Sequence, residues 1–133
     1  MVQKEVAQRV ASSPGTREYG GLSVWMQSFL RARHGFDVSR NVFQPRPNVT
    51  SAVLILEPKA SGERPADPEA LSRLIKLCFQ KRRKQLGRIL RDRWNEAVEA
   101  WFREQGLDRR NRPEDLSPAQ FEALSRILES VSQ

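Results

Sequence analysis

Between Arg73 and Arg93 the chain carries nine lysines and arginines (Arg73, Lys76, Lys81, Arg82, Arg83, Lys84, Arg88, Arg91 and Arg93) against one acid, Asp92. Read as a helix, this stretch sets Lys81, Lys84, Arg88 and Arg91 on one face at i, i+3, i+7 and i+10, where like charges repel unless something neutralises them. A phosphate backbone would do so, through charge pairing and counterion release. A solvated surface helix, the plain alternative, ordinarily mixes both signs. Other chemistry is scarce. The chain has no Ser/His/Asp set, no Cys/His pair, no metal-spaced cluster and no glycine-rich phosphate loop, and Gly20-Gly21 alone reads as a hinge or cap. Glu5 and Glu57 are isolated carboxylates, better suited to a helix start or a surface than to acid–base work. His34 lacks a Cys, His or carboxylate neighbour at ligand spacing and reads as an ordinary surface or cap histidine. The lone Cys78, among Leu74, Ile75 and Leu77, reads as a core thiol with no disulfide or metal role.

One aromatic side chain is placed as if to meet a ligand. In Phe43-Gln44-Pro45-Arg46-Pro47-Asn48, each proline fixes its own φ and pushes the preceding residue to extended geometry, so the segment reads as a stiff, polyproline-like arm carrying Phe43. From Val49 to Leu56 the residues are apolar or small on both alternating faces, which predicts a strand covered on both sides, as in an α/β sheet.

The elements that must position these residues follow from spacing. Lys4 to Ala11 forms a short helix stopped by Ser12-Ser13-Pro14-Gly15, and Met1-Val2 before it looks like the tail of a strand whose beginning is absent. Leu22, Trp25, Met26, Phe29 and Leu30 recur at helical spacing after Gly20-Gly21, Gly35 ends that helix, and Phe36-Asp37-Val38 supplies a short strand. Pro58, Gly62 and Pro65 mark a linker. Asp67 as N-cap with Pro68 at the first helical position then starts a long helix running through Leu71, Leu74, Ile75, Cys78, Phe79, Leu86, Ile89 and Leu90. At about 100° per residue, Arg82 falls near the centre of its apolar arc, so Arg82 is expected to be structural, satisfied by a carboxylate or by backbone carbonyls. A further helix begins near Trp94 and ends at Gly106. The last opens on a capping box, Ser117 to Gln120, with Phe121, Leu124, Ile127 and Leu128 inward. Three helices with short connections make a small bundle.

At 133 residues, with a formal charge of +7 and a pI near 10.5, the chain has room for a small core and favours a polyanionic partner. No apolar run approaches a bilayer span and the first residues lack a signal-peptide core, so a membrane role is not expected and the reading is cytoplasmic.

The residues also resemble a family. Gln3-Lys4-Glu5-Val6-Ala7 with Arg9, Tyr19-Gly20 with Leu22-Ser23-Val24 and Gln27, the Phe43-x-Pro45-x-Pro47-x-Val49-x-Ser51-Ala52-Val53 run, Phe79 with Arg82-Arg83-Lys84, and Leu116-Ser117-x-x-Gln120-Phe121 occur in this order in rRNA adenine dimethyltransferases of the KsgA type. The Phe43 run is similar to the Erm methyltransferases as well. The resemblance implies an S-adenosylmethionine-dependent enzyme that dimethylates adenines of small-subunit (16S) rRNA within the immature subunit, with no metal. The family's cofactor loop, acidic ribose-binding residue and catalytic motif would lie upstream of Met1. The expected architecture is therefore an α/β fragment, the end of a Rossmann-like methyltransferase domain (1–57), a linker (58–67) and a small all-α RNA-docking domain (68–133). No cofactor is expected to bind this chain alone.

By resemblance Phe43 borders the target-adenine pocket, with a hydrophobic plug as its alternative role. Lys81, Arg83, Lys84, Arg88 and Arg91 would contact RNA. Gly87 stands where the family commonly has a basic or polar residue. A stand-alone, non-catalytic RNA-binding protein is the second reading. A basic helical DNA-binding domain is the third, though no recognition-helix turn is evident.

Overall fold

The computed structural model describes residues 1–39, 50–81 and 83–131, with backbone alone at 130 and 131. These residues form two units, 1–64 and 65–133. The first holds β1 (Val2–Gln3), α1 (Lys4–Val10), α2 (Gly21–Phe29), β2 (Leu30–Val38) and β3 (Ser51–Pro58). The second holds α3 (Pro68–Gln80), α4 (Leu86–Ile89), α5 (Glu96–Glu104) and α6 (Pro118–Val131), with single 3₁₀ turns at Arg91–Arg93 and Pro113–Asp115.

In the first unit the three strands order as β1-β3-β2, and both neighbours run antiparallel to β3. Strand β1 pairs through Val2 with Ala52 and Gln3 with Ser51, then turns directly into α1. Gln3 offers no side-chain cap; instead the Lys4 N–H donates to the Thr50 carbonyl at 2.9 Å, so the start of β3 satisfies one of the orphan donors of α1. The carboxyl end of α1 is held by α2. Gln27 Nε2 donates to the Val10 and Ser12 carbonyls, each at 2.7 Å, and Ser23 Oγ donates to the Arg9 carbonyl while accepting from the Gly20 N–H at 3.1 Å. Ser23, Val24 and Tyr19 are buried, and burial pushes the Tyr19 phenol well above its ordinary range. The Tyr19-Gly20-x-Leu22-Ser23-Val24 segment and Gln27 thus join two helices.

Two strand expectations are corrected. Helix α2 ends at Phe29, and Leu30, expected on its apolar stripe, opens a nine-residue strand that takes in the expected Phe36-Asp37-Val38. Gly35, expected as the helix terminator, sits in that strand at a register shift between His34 and Phe36. A Cβ there would lie 3.0 Å from the Val53 carbonyl oxygen and 3.2 Å from Ile55 Cδ1, so glycine lets the bulged strand close on its partner. Helical spacing carried over Leu30 because a β-strand following without a loop continues the apolar run. Strand β3 begins at Ser51, Val49 lying outside the described residues, and full cover on both faces is not found: Ala52 is buried, Val53, Leu54 and Ile55 are half-buried, and Leu56 is 41% exposed. Lys59 and Arg64, in the expected linker, bond back: Lys59 N–H donates to the Phe29 carbonyl and Arg64 Nε to the Lys59 carbonyl.

In the second unit, Asp67 caps α3 by accepting from the Ala70 N–H at 3.1 Å, with Pro68 in the first turn. Asn95 caps α5 through the Val98 N–H at 3.0 Å. That helix closes with Gly106 at φ 71°, where Gly106 N–H donates to Arg103 and Leu107 N–H to Phe102, the two bonds of a Schellman ending. Ser117 and Gln120 cap α6 reciprocally: Gln120 N–H donates to Ser117 Oγ at 3.2 Å and Ser117 N–H to Gln120 Oε1 at 2.9 Å. The core is Leu71, Leu74, Cys78, Phe102, Phe121 and Leu124 with their neighbours, and Phe79 meets Phe121 at a centroid separation of 5.6 Å. Each such buried side chain contributes about 1.5–3 kcal/mol against exposure.

The long helix expected from Asp67 to Leu90 is overturned. Helix α3 stops at Gln80, Lys81 takes a non-helical backbone as its C-cap, and Lys84 N–H closes a tight turn on the Lys81 carbonyl at 2.8 Å. From Gln80 to Gln85 there is no apolar side chain, so nothing there fastens a helix to the core, and four successive cations oppose one. Leu86 and Leu90 return to the core from the separate one-turn helix α4.

Candidate nucleic-acid interface

The expected single face of Lys81, Lys84, Arg88 and Arg91 disappears with the long helix. The cations occupy successive local structures instead. Lys81 is the C-cap of α3, Arg83 and Lys84 lie in the turn, Arg88 projects from α4, and Arg91 and Arg93 belong to the 3₁₀ turn. All six are exposed, and none takes part in an ion pair among the described residues. Breaking the helix also spreads charges that a continuous face would have stacked one turn apart. Arg73, in contrast, is engaged by Glu129 at 2.8 Å. Arg82 and Phe43 lie outside the described residues, and the angular argument for Arg82 lapses with the helix it assumed.

A partner for this segment was not foreseen in the sequence. The first N–H groups of α4 have no partner within so short a helix. They are satisfied by the loop after α5: Leu86 N–H donates to the Asn111 carbonyl at 2.7 Å, and Gly87 N–H to the Arg109 carbonyl at 2.9 Å. A Cβ at position 87 would stand 2.7 Å from Arg109 Cβ and 3.1 Å from its carbonyl oxygen. Glycine is there because the loop backbone presses on it. The loop is braced from within: Arg110 N–H donates to Asp108 Oδ1 at 2.7 Å, Asp108 N–H to Asn111 Oδ1 at 2.8 Å, and Arg112 N–H to Asp115 Oδ2 at 2.8 Å.

Arg109 ties this loop to α5. Its guanidinium lies 4.9 Å from the Trp94 ring centroid, and its Nε donates to Glu99 Oε2 at 3.3 Å. The Trp94 indole N–H donates to the same carboxylate oxygen, and that bond first, then Arg109, holds Glu99 below the usual carboxylate range. Segments 81–93 and 108–112 together carry ten Lys and Arg against Asp92 and Asp108. Such a surface offers hydrogen-bond donors that stay charged at neutral pH, suited to phosphate oxygens and unsuited to proton transfer. The signal for the second segment, Arg109-Arg110-x-Arg112, was visible in the chain; what placed it beside α4 was not.

In the first unit His34 does have a carboxylate partner, which corrects the expectation. Its Nε2 lies 2.8 Å from Asp37 Oδ1, brought together across the bulge, while Lys4 Nζ lies 3.0 Å from the other oxygen of Asp37. The hydrogen bond from Lys4 is the main cause of a lowered Asp37 pKa. With all three partly exposed, the cluster has the form of a surface ion-pair network. Among the described residues no three His, Cys, Asp or Glu gather as metal ligands, and no helix is long and apolar enough to cross a membrane. At the β1–α1 junction the strand runs into the helix with no intervening loop, and the first helical N–H, that of Lys4, donates to the Thr50 carbonyl.

A family model described as ribosomal RNA adenine dimethylase matches residues 1–130. The chain is 51% identical over 130 residues to the ribosomal RNA small subunit methyltransferase A of Oleidesulfovibrio alaskensis, covering 98% of this chain and 46% of that protein. It is 48% identical to the protein of the same name from Maridesulfovibrio salexigens, covering 98% and 50%. The chain thus spans about half the length of the curated relatives it matches. Among solved structures, a dimethyladenosine transferase from Plasmodium falciparum is similar with a TM-score of 0.78 at 21% identity, covering 98% of this chain and 56% of that one. The 23S rRNA methyltransferase ErmE is similar with a TM-score of 0.65 at 22% identity, covering 98% and 52%. At such identities the likeness speaks for the α/β fold alone.

Proposed function

The chain belongs to the ribosomal RNA adenine dimethylase family, and from that premise we propose that it serves as the C-terminal part of an S-adenosylmethionine-dependent small-subunit rRNA adenine dimethyltransferase. Residues 65–133 dock the rRNA of the immature subunit in the cytoplasm, and the first unit contributes part of the target-adenine pocket. The observation that carries this reading is the set of exposed cations Lys81, Arg83, Lys84, Arg88, Arg91 and Arg93, free of ion pairs among the described residues. Lys81, Arg83, Lys84, Arg88 and Arg91 bind the phosphate backbone.

Phe43 borders the flipped base. Methylation of an exocyclic amine requires the adenine to leave its stack, and an aromatic face offsets part of the few kcal/mol lost on unstacking. The residues that hold the methyl donor lie in the remainder of the enzyme.

Two measurements on the 133-residue chain test the reading. Titration calorimetry should show no S-adenosylmethionine binding; micromolar affinity would sink the assignment of the cofactor site to the rest of the enzyme. Binding to a small-subunit rRNA transcript should weaken steeply with salt. Lys84→Ala should lower that slope by about 1 while changing stability by no more than about 0.5 kcal/mol. An unchanged slope would remove Lys84 from the RNA face.

A further inference from the structure

Residues 39–50 connect strands β2 and β3, whose nearest paired positions are Val38 with Ser51 and Asp37 with Ala52. Both ends of that connection are held by a residue belonging to neither strand. Lys4, the first residue of α1, donates its backbone N–H to the Thr50 carbonyl at 2.9 Å, on the β3 side, and its Nζ lies 3.0 Å from Asp37 Oδ2, on the β2 side. The second contact crosses the sheet. Strands β1 and β2 flank β3, so the chain entering α1 runs about 9–10 Å from β2, two strand spacings, a gap that calls for a long side chain. Ala52 pairs with Val2 on one side and with Asp37 on the other and is fully buried, so the side chain between them is a single methyl group. His34 Nε2 braces the other oxygen of Asp37 at 2.8 Å, across the bulge at Gly35. Helix α1 is itself anchored at its far end, where Ser23 and Gln27 of α2 take the Arg9, Val10 and Ser12 carbonyls.

We propose that Lys4 is a positioning residue, a clasp that ties Asp37 and Thr50, at the two ends of the β2–β3 connection, to the start of α1. The inference rests on the reading of the first unit as part of the target-adenine pocket, since that reading sets Phe43, within the connection, beside the flipped base. A base that stacks on an aromatic ring must meet it at a set place, and fixing the ends of the connection beforehand lowers the ordering cost of that encounter. The Lys4 ammonium is suited to this role rather than to a phosphate contact. It already has a carboxylate within hydrogen-bond reach, and that carboxylate is held from its other side by His34.

Amide hydrogen exchange on the full 133-residue chain, without RNA or cofactor, tests the clasp. Lys4→Met, which keeps the length and removes the charge, should speed exchange at residues 37–39 and 50–52 by roughly two- to five-fold, the range of a partly exposed ion pair. Residues 30–33 and 55–57, at the other end of the two strands, should exchange as in the parent. Lys4→Arg should restore the parent rates. Asp37→Asn should match Lys4→Met, and the double variant should exchange no faster than the faster single one. Where Lys4→Met fails to fold, Asp37→Asn and Lys4→Arg decide alone. Unchanged rates at 37–39 and 50–52, a rise of equal size at 30–33 and 55–57, or an arginine variant as fast as methionine each refutes the clasp. In binding to a small-subunit rRNA transcript, Lys4→Met should keep the parent's slope of log K against log salt; a slope lower by roughly 0.7–0.9 would make Lys4 a phosphate contact instead. Phe43→Ala in the same binding assay tests the pocket reading separately: an unchanged affinity removes Phe43 from the base, while the exchange results still decide whether Lys4 holds the two ends.

Discussion

A thiol surrounded by core side chains has lost what makes cysteine a nucleophile. Cys78 is fully buried, and burial alone pushes its pKa up from 9.0 to about 12. Because the folded value lies above the unfolded one, the stability contribution is fully present below pH 9.0. It declines as pH rises toward 12, where only the unfolded chain gains by ionising. At pH 8 a thiol reagent should label native Cys78 orders of magnitude more slowly than the urea-unfolded chain; equal rates would place the thiol at the surface. Its neighbours in sequence made that burial legible. Gly87 was not legible in the same way, since the reason for glycine there is Arg109, whose Cβ and carbonyl oxygen only the fold brings to 2.7 Å and 3.1 Å from the missing Cβ. The pairing of His34 with Asp37 was likewise hidden, because it depends on a bulge at Gly35 that alternation rules do not announce.

The ends of the helices show which parts of an element a sequence can declare. Asp67 before Pro68, Gly106 after α5, and Ser117 three residues before Gln120 are local signals, and the bonds they imply are all formed. The middle of the long helix was misjudged for the opposite reason. Apolar residues on either side of Gln80–Gln85 keep helical phase by spacing alone, yet no apolar residue lies between them, and the partner that takes the first N–H groups of α4 is a loop more than twenty residues onward. The cap of α6 is open to a direct measurement. Ser117→Ala removes the acceptor of the Gln120 N–H and should cost about 1 kcal/mol, a fall of roughly 5 °C in the unfolding transition of a unit this size. Ser117→Asp, which restores an acceptor, should recover most of it; an unchanged melting temperature for the alanine variant would show that the bond from Gln120 N–H to Ser117 Oγ carries no stability.

Across the whole molecule, the two units satisfy their backbones by different means, and this sets where the chain should open first. The helical unit closes its helices with side-chain caps, a Schellman ending and the seat of α4 on the arginine loop, all within residues 65–133. The first unit depends on a three-stranded sheet in which β1 pairs β3 only at Ser51 and Ala52. From Val53 to Pro58 the flank of β3 away from β2 has no strand partner among the described residues, and Leu56 and Phe36 are 41% and 61% exposed. Unpaired edges and thin apolar cover lower the free energy of local opening. Amides of β2 and β3 should therefore exchange faster than those in the interior turns of α3 and α6 under conditions where global unfolding is negligible. Equal protection in both units would mean that they open together, so that the helical unit could not hold RNA-binding geometry while the sheet frays.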